Sequence, residues 1–303
     1  MATEKKTKSI NTIGLMIRPT IDHDSAVLIS NLLGWLNRRK KKVILSPEKL
    51  GQISPLMKKS HSSISPGTES EILTKADLII VLGGDGTFIS TARRATKHKT
   101  PILGINLGNL GFTTEFSKAE LYDALESVIK GKFTTYKLNL FSTKIYKDGV
   151  LTKELFFVND AVIGRKDVSR IITLSLNTNE ENIYNLKGDG LIISTPLGST
   201  AYSLAAGGPI IHPESKSIVV TPICPHSLNF RPIVMPNDTE LKINSFDNIE
   251  KIQLTLDGQE ALEIDKNTII SISKSKKKPI EIIRNEEKNF FLTLRNKFTL
   301  GRK

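Results

Sequence analysis

Short, wholly apolar runs alternate with amphipathic segments through the first half of the chain. Strands buried on both faces are predicted at residues 12–17, 43–45, 78–82 and 101–106. Residues 24–37 have the pattern of an amphipathic helix, and residues 88–95, after Thr87, can form a second helix. Residues 58–67, rich in serine, lysine and proline, predict an exposed loop. Alternation of strand and helix in this order predicts a parallel sheet with helices on its faces.

Shorter, alternating runs dominate the second half of the chain. A hairpin is predicted from residues 136–146 and 151–158, joined by an Asp148-Gly149 turn. Further strands are predicted at residues 171–176, 191–195, 218–223, 240–243, 252–256 and 268–272. With a single helix predicted at residues 199–206, this half is expected to be mostly β-structure.

The change of pattern predicts two domains, and 303 residues are enough to form two cores. We expect an α/β domain with a parallel sheet over residues 1–135 and a β-rich domain over residues 136–280. Two further apolar runs lie within residues 281–298, and the pattern alone does not assign them to either domain.

The strongest functional signal is Gly83-Gly84-Asp85-Gly86-Thr87, which directly follows an apolar run. Glycines allow close approach of the backbone to a ligand, and the first amides of the following helix suit anionic oxygens. A carboxylate is unfavourable beside phosphates unless it has another task, and accepting a proton from a hydroxyl that attacks phosphorus is such a task. The alternative is an ordinary strand-to-helix turn with Asp85 as a cap.

A second glycine-containing turn, residues 107–112, follows the next predicted strand. Both turns therefore lie at the carboxyl ends of parallel strands, where ligands bind in sheets of this kind. Farther along, Ser117-Lys118-Ala119-Glu120 has the sequence of a capping box, which predicts a helix that ends at Gly131.

The segment from Lys187 to Tyr202 combines a strand, a turn and hydroxyl groups. Pro196 stops the predicted strand, and Gly198-Ser199-Thr200 leads into the predicted helix. A simple strand-turn-helix with Ser199 as N-cap would explain the turn but not the flanking Asp189 and Tyr202.

Asn159 and Asp160 stand at the end of the apolar strand predicted at residues 151–158. Their polar groups are costly there unless they find partners. An asparagine can recognise a base or amide edge, and an aspartate can hold ribose hydroxyls. The alternative is that the pair forms a turn.

Motifs of several common enzyme classes are absent from the sequence. It contains no G-x-x-x-x-G-K-[ST] phosphate loop, and no G-x-G-x-x-G follows a strand, which argues against an ordinary dinucleotide-dependent oxidoreductase. Neither H-E-x-x-H nor G-x-S-x-G occurs, so zinc hydrolysis and serine-ester chemistry lack their usual groups.

Composition indicates a globular protein with an excess of positive charge. The chain has 43 Lys and Arg against 31 Asp and Glu, a formal net charge of +12. This charge favours polyanionic partners such as nucleotide phosphates. No nucleic-acid partner is expected, because the basic clusters at residues 38–42 and 276–278 are not interleaved with aromatic residues. Cys224 is the single cysteine, so no intrachain disulfide can form. No apolar run is long enough to span a bilayer, and residues 1–9 lack the pattern of a secretory signal, so we expect a cytoplasmic protein with no membrane partner.

Taken together, these stretches resemble the NAD kinase family. The matching segments are Gly83-Gly84-Asp85-Gly86-Thr87, Asn159-Asp160, residues 188–208, Pro225-His226-Ser227-Leu228 with Arg231-Pro232, and Asp257-Gly258-Gln259. They occur in the family's order, and the segment that runs through Tyr202 is the most specific. The first motif alone is shared with lipid kinases and phosphofructokinase-like enzymes.

The resemblance implies ATP-dependent phosphorylation of the adenosine ribose 2′-hydroxyl of NAD to give NADP. It also implies that residues 281–303 return to the first domain and that the chain forms a homodimer or homotetramer. Asp85 is implied to be the proton acceptor, with Gly83, Gly84 and Thr87 around the phosphates. The residues implied to contact NAD are Gly86, Phe112, Asn159, Asp160, Arg170, Lys187, Asp189, Thr200, Ala201, Tyr202, Ser203, Leu204, Ala205 and Gln259. Mg²⁺ or another divalent cation is expected to arrive with ATP, without metal ligands from the chain itself.

Leu197 departs from the family pattern, which usually places Thr or Ser between the proline and the glycine. Two other functions are considered on the same residues. A lipid or sugar kinase that shares only the glycine turn would leave Asn159, Asp160 and Tyr202 without a role. A non-catalytic NAD(P) sensor would have no need of Asp85 as a base.

Overall fold

The computed structural model describes residues 9–57, 62–95, 99–108, 111–166, 171–179, 181–245, 252–265 and 267–298. The chain divides into two compact units, Met1–Leu138 with Pro279–Lys303, and Asn139–Lys278. Each unit has its own hydrophobic core.

Strands and helices are numbered in chain order over the described residues. The strands are β1 (Thr12–Ile17), β2 (Lys42–Leu45), β3 (Ile64–Pro66), β4 (Leu78–Gly83), β5 (Ile102–Asn106), β6 (Phe116–Ser117), β7 (Thr135–Leu138), β8 (Phe141–Lys147), β9 (Val150–Phe157), β10 (Asp160–Arg165), β11 (Ile172–Asn177), β12 (Asn182–Gly188), β13 (Gly190–Ser194), β14 (Ser217–Ile223), β15 (Ile233–Pro236), β16 (Leu241–Ser245), β17 (Ile252–Leu256), β18 (Glu260–Ile264), β19 (Thr268–Lys274) and β20 (Ile280–Ile283). The α-helices are α1 (His23–Arg38), α2 (Pro47–Ile53), α3 (Glu69–Lys75), α4 (Asp85–Arg94), α5 (Leu121–Ile129), α6 (Tyr202–Ala205) and α7 (Phe290–Phe298). Short 3-10 helices lie at Ser54–Leu56, Lys118–Glu120 and Gly198–Thr200.

The first unit is built on one sheet with the strand order β3-β2-β1-β4-β5-β20-β7, and β6 pairs with β5 outside this path. The pairs from β3 through β20 are parallel, and β7 runs antiparallel to β20. Residues 78–82 are buried throughout, as expected for a central parallel strand covered on both faces. The carboxyl ends of β4 and β5 are adjacent, with Gly83 beside Asn106, so the chain segments that follow these strands begin at the same edge of the sheet.

Local signals in the sequence account for where the helices of this unit begin and end. The Asp22 carboxylate accepts a hydrogen bond of 2.8 Å from the amide of Ser25 and caps α1. Ser117 and Glu120 form the predicted capping box, which leads through a 3-10 turn into α5. The chain leaves that helix at Gly131, where φ is +70°.

The second unit consists, within its described residues, of two antiparallel sheets that share one core. Their strand orders are β15-β14-β13-β10-β17-β18 and β12-β11-β16-β19-β8-β9. Two hairpin turns are Asp-Gly pairs with positive φ at both residues, Asp148-Gly149 between β8 and β9 and Asp257-Gly258 between β17 and β18. The predicted fold class is confirmed, including the return of the C-terminal segment to the first sheet through β20.

Three expectations about elements are wrong. The apolar alternation over residues 136–146 is divided between β7 in the first unit and β8 in the second, because period-two patterning does not tell which sheet a strand joins. The loop predicted at 58–67 contains an edge strand, Ile64–Pro66, and residues 58–61 of it lie outside the described residues. The helix predicted at 199–206 is broken at Ala201, where φ and ψ are −98° and −130°.

Several strands were not predicted, and three of them, β12, β15 and β18, are edge strands. Edge strands carry more polar residues than central strands, which weakens the apolar signal. Another of them, β10, begins at Asp160, so Asn159 and Asp160 connect two strands and do not simply end the first.

Candidate active site

The strand-to-helix turn of the first unit combines a buried glycine with an exposed surface. Gly83 ends β4, Gly84 is the N-cap of α4, and Asp85 is the first residue of that helix. Phe88 donates the first intrahelical hydrogen bond, 3.1 Å to the carbonyl of Gly84, so the preceding amides lie at the helix N-terminus. Gly86 is exposed, and a side chain at Gly84 would meet no atom within 4 Å. This end of α4 is therefore open to an anionic group.

The Asp85 carboxylate is held by the segment that follows the second glycine turn. Oδ2 accepts one hydrogen bond, from the amide of Phe112 at 3.0 Å. Oδ1 accepts three, from the amides of Thr113 and Thr114 at 3.2 and 3.0 Å and from the Thr114 hydroxyl at 3.1 Å. Because a carboxylate offers about four acceptor positions over its two oxygens, Oδ2 retains capacity for another donor. Asp85 is thus not the N-cap, and its carboxylate joins α4 to residues 112–114.

Gly111 is required for this contact, since a Cβ there would overlap the Asp85 carboxylate. Asn106, at the end of β5, supports the same segment. Its side chain donates to the Thr114 hydroxyl at 2.9 Å and accepts from the amide of Gly108 at 2.8 Å. The two glycine turns are therefore one connected structure in the first unit.

Buried charges surround residues 112–114, and sequence reasoning did not anticipate them. Lys288 and Glu115 lie with Nζ and Oε1 3.9 Å apart, and their side chains are 10% and 11% exposed. Burial raises the pKa of the Glu115 carboxyl and lowers the pKa of the Lys288 ammonium. Burial, together with the neighbouring Glu115, raises the pKa of Tyr136 well above its usual value. The only signal in the sequence is a lysine just before an aromatic run, which is too common a pattern to predict a role.

Phe112 packs in the first unit against α7. Its ring centroid lies 5.9 Å from that of Phe298 and 6.3 Å from that of Phe290. The predicted contact of Phe112 with NAD stays a prediction.

In the second unit, Asn159 and Asp160 are held through their backbone by Asp257. The Asp257 carboxylate accepts hydrogen bonds from the amides of Val158, Asn159 and Asp160 at 3.1, 2.7 and 3.2 Å. Asp257 belongs to the Asp-Gly turn that also carries Gln259, whose amide donates to the carbonyl of Leu256 at 2.9 Å. The segments that contain the predicted residues Asn159, Asp160 and Gln259 are thus connected through one carboxylate.

The side chains of Asn159 and Asp160 have properties of ligand-binding groups. Oδ1 of Asn159 is buried, and no described residue donates a hydrogen bond to it. Asp160 is 4% exposed, and burial, with a smaller effect of Asp257, raises the pKa of its carboxyl to about 7. Buried polar groups without partners are rare, and one reason for them is a partner that comes from a ligand.

The turn after β13 packs directly on Asn159. Thr195 donates from its amide to the carbonyl of Asn159 at 2.8 Å and from its hydroxyl to the carbonyl of Val158 at 2.7 Å. The amide of Gly198 donates to the Thr195 hydroxyl at 3.1 Å, and a Cβ on Gly198 would overlap the Asn159 carbonyl. Leu197, which departs from the family pattern, is half-buried in this turn.

Some of the residues after Gly198 form internal hydrogen bonds, and the others lie at exposed or half-buried positions. Ser199 is not an N-cap. Its buried hydroxyl donates to the Pro196 carbonyl at 2.6 Å and accepts from the amide of Ile211 at 3.0 Å. Ser203 is buried and shares a hydrogen bond of 2.8 Å with Thr221. The remaining predicted positions are exposed or half-buried, namely Thr200, Ala201, Tyr202, Leu204 and Ala205.

Asp189 lies at the other end of β10 from Asp160. It forms an ion pair with Arg165, with Oδ2 and Nη2 3.1 Å apart, and Arg165 was not identified from the sequence. Because Asp160 and Arg165 are the first and last residues of β10, the two positions are about 16 Å apart along the strand at ~3.3 Å per residue. Lys187 is exposed on β12, and Arg170 lies outside the described residues.

The described part of the chain has neither a cluster of metal-binding side chains nor a helix suited to a bilayer. No three His, Cys, Asp or Glu residues are grouped there so that they could hold a metal ion. Over the same residues, no helix combines the length and apolar character needed to cross a bilayer.

Comparison with known families shows to which family the chain that carries these sites belongs. A family model described as the ATP-NAD kinase N-terminal domain matches residues 13–133, and a model of the ATP-NAD kinase C-terminal domain matches residues 158–284. The chain belongs to the ATP-NAD kinase family. The resemblance drawn from the motifs is confirmed, and the chain is an enzyme with NAD kinase activity, which uses ATP and NAD.

A curated relative agrees with this assignment, and two solved structures share the fold. The NAD kinase of Syntrophotalea carbinolica is 38% identical over 282 residues, which cover 92% of this chain and 96% of the relative. The fold is similar to that of yeast NADH kinase crystallised with NADH, with a TM-score of 0.89, 24% identity and coverage of 98% and 89% of the two chains. It is also similar to an NAD kinase from Archaeoglobus fulgidus crystallised with ATP, with a TM-score of 0.71, 22% identity and coverage of 95% and 97%.

The raised pKa of Asp160 predicts a specific pH dependence of stability. An unfolded aspartate has a pKa of ~3.9, whereas the folded Asp160 carboxyl has a pKa of about 7, so the folded chain binds this proton more tightly between those pH values. The contribution of Asp160 to stability is therefore most favourable below about pH 4 and is lost as the pH rises towards 7. We expect the Tm of the wild type, measured relative to Asp160→Asn, to fall as the pH is raised from 4.5 to 7.5. Parallel curves of Tm against pH for the two proteins would contradict the raised pKa of Asp160.

Proposed function

We propose that this NAD kinase transfers the γ-phosphoryl group of ATP to the adenosine ribose 2′-hydroxyl of NAD, giving NADP and ADP, with Asp85 as the proton acceptor. The observation that carries the proposal is the Asp85 carboxylate, which is oriented by four hydrogen bonds while Oδ2 keeps capacity for a hydroxyl donor. Phosphoryl transfer depends on positioning and charge stabilisation more than on covalent chemistry, and a fixed carboxylate supplies positioning.

The first unit is proposed to bind the nucleotide phosphates. Its turn supplies Gly83, Gly84 and Thr87 beside Asp85, and the N-terminus of α4 favours negative charge. Mg²⁺ or another divalent cation is proposed to enter on the triphosphate of ATP as part of that substrate. The cation would neutralise charge on the phosphates, while the chain positions the hydroxyl and accepts its proton.

The second unit is proposed to bind NAD. Asn159 supports this role because its buried Oδ1 has no donor among the described residues, so it is suited to an amino group of adenine. Asp160 beside it can accept from ribose hydroxyls. The exposed Tyr202 is proposed as a further contact with NAD. The other proposed contacts rest on the family motif alone, namely Gly86, Phe112, Arg170, Lys187, Asp189, Thr200, Ala201, Ser203, Leu204, Ala205 and Gln259. A homodimer or homotetramer is proposed from the family alone. Light scattering on the purified protein would measure its oligomeric state.

The proposal is tested by incubating the protein with NAD, ATP and Mg²⁺ and coupling the product to an NADP-specific dehydrogenase. We expect NADP to form, and Asn159→Ala to raise the KM for NAD by about 10-fold, equivalent to the loss of one hydrogen bond of about 1.4 kcal/mol. The KM for ATP is expected to change less than about 2-fold.

Asn179→Ala is the matched control, because Asn179 is an exposed asparagine of the same unit that bonds to Glu240. Its KM for NAD should equal that of the wild type. Stabilisation of the protein by NAD without NADP formation would instead indicate a sensor, and an unchanged KM in Asn159→Ala would remove that residue from the NAD site.

A further inference from the structure

The segment that follows β20 brings a lysine to the residues that hold Asp85. Nζ of Lys288 donates to the carbonyl of Phe112 at 3.0 Å and to the carbonyl of Thr114 at 2.8 Å. The amides of these same two residues, with that of Thr113, donate to the Asp85 carboxylate. Residues 112–114 are therefore bonded to a carboxylate on the amide side and to an ammonium on the carbonyl side.

The Lys288 ammonium is fixed by further partners. Glu115 is its nearby counter-charge, and Glu115 is itself held by the amide of Asn285, which donates to Oε2 at 3.1 Å. The Asn285 side chain donates to the carbonyl of Glu115 at 3.2 Å and to Oε1 of Glu120 at 2.9 Å. The lysine is thus part of a connected buried network.

A network of this kind is costly if its purpose is stability alone. Desolvation of a buried ammonium and carboxylate can exceed their attraction, and apolar residues of similar size often stabilise a protein equally well. The lowered pKa of Lys288 reflects that cost, which the negative charges of Glu115, Asp85 and Glu120 partly offset. What an apolar side chain could not supply is the pair of hydrogen bonds to the carbonyls of Phe112 and Thr114. The Phe112 carbonyl shares its peptide group with the Thr113 amide, which donates to Asp85, so this bond orients and polarises one of the donors to the carboxylate.

We propose that Lys288 is a positioning residue for the phosphoryl transfer, which acts through residues 112–114 to hold the Asp85 carboxylate at the reacting hydroxyl. The inference rests on the proposed role of Asp85. Lys288 itself contacts the backbone of Phe112 and Thr114, so it orients the base without being a catalytic residue. A misplacement of about 1 Å at a reacting group can cost about 10²-fold in rate, so a substantial effect on kcat is expected.

The test compares Lys288→Met with Lys288→Arg in the purified full-length protein. Lys288→Met removes the donors while keeping most of the apolar volume, and kcat is expected to fall by about 10- to 100-fold. The KM values for NAD and ATP are expected to stay within about 3-fold. Lys288→Arg keeps a charged donor and should recover at least about a third of the wild-type kcat.

Lys49→Met is the matched control for loss of a buried lysine in the same unit. Lys49 is 7% exposed, and its ammonium donates to the carbonyl of Pro19 and, at 3.2 Å, to Gln52. Its substitution should lower Tm to a similar extent as Lys288→Met but leave kcat within about 2-fold of the wild type. Equal kcat values for Lys49→Met and Lys288→Met would overturn the proposal.

A double-mutant cycle separates this inference from the proposed function. If Lys288 acts through Asp85, adding Lys288→Met to Asp85→Asn should lower kcat by less than about 2-fold below that of Asp85→Asn alone. Multiplication of the two single effects would overturn the positioning role while leaving Asp85 as the base. Wild-type turnover in Asp85→Asn would instead overturn the proposed role of Asp85 as the base.

Discussion

Replacing Asp85 with asparagine is expected to lower kcat by at least about 10²-fold, the lower end of the range for loss of a general base. The substitution removes the proton acceptor, but it also changes how residues 112–114 are held. If the asparagine oxygen keeps the three hydrogen bonds of Oδ1, its NH₂ group faces the amide of Phe112, and two donors then oppose one another. A loss of about 1–3 kcal/mol in the free energy of unfolding is expected from the unsatisfied group. Steady-state kinetics should therefore be measured together with thermal unfolding.

Thr114→Val provides the control for this structural effect. It removes the hydroxyl that donates to Oδ1 and that accepts from Asn106, yet it leaves the carboxylate in place. We expect a comparable loss of stability with less than about a 10-fold loss of kcat. Turnover of Asp85→Asn within about 3-fold of wild type, or an equal loss in Thr114→Val, would exclude Asp85 as the proton acceptor.

Gly198→Ala is expected to destabilise the second unit and to weaken NAD binding at the same time. The new Cβ would overlap the carbonyl group of Asn159, and a backbone group cannot move away as a flexible side chain can. The hydrogen bonds of Thr195 to Val158 and Asn159 hold the two segments together, so at least one of the segments must shift to accept the new Cβ. We expect a loss of about 3 kcal/mol in the free energy of unfolding, at the upper end for overpacking, and at least about a 10-fold rise in the KM for NAD.

Gly51→Ala is the matched control, because Gly51 lies within α2 and its added Cβ would meet no atom within 4 Å. Alanine is favoured over glycine inside a helix by about 0.5–1 kcal/mol, so this variant should be slightly more stable than the wild type with the same KM. If Gly198→Ala unfolds at the same denaturant concentration as the wild type and keeps its KM, the close contact between Gly198 and Asn159 is refuted.

Prediction from the sequence succeeded where the signal was local. The turn at Gly83–Thr87 follows a wholly apolar strand, and the structure has a helix starting at Asp85, as glycines after such a run suggest. The capping box at Ser117 and Glu120 was equally readable, because both partners lie within four residues. The turn at Asp257 and Gly258 was recognised only as part of the family's motif, and its role in holding the amides of residues 158–160 was missed.

Prediction failed where the partner of a residue is distant in the chain. Asp85 looked like a base or a cap, and its hydrogen bonds to residues 112–114 follow from the adjacency of β4 and β5 in the sheet. Lys288 lies 176 residues after Phe112, and only the return of β20 to the first sheet brings it there. Burial and pairing at such positions depend on topology, which a period of two or 3.6 residues does not encode.

The sequence by itself determined the family, the strand-to-helix turn around Asp85 and the two kinds of domain, because glycines, apolar runs and motif order act locally or recur as a set. Only the tertiary structure decided what each polar group contacts. It directed the Asp85 carboxylate to three backbone amides and left Asn159 with a buried oxygen that has no donor among the described residues. It also paired Lys288 with the carbonyls of Phe112 and Thr114, in the segment that holds Asp85. The physical reason is that desolvation and hydrogen-bond geometry depend on which segments the sheets bring together, and that information is spread over the whole chain.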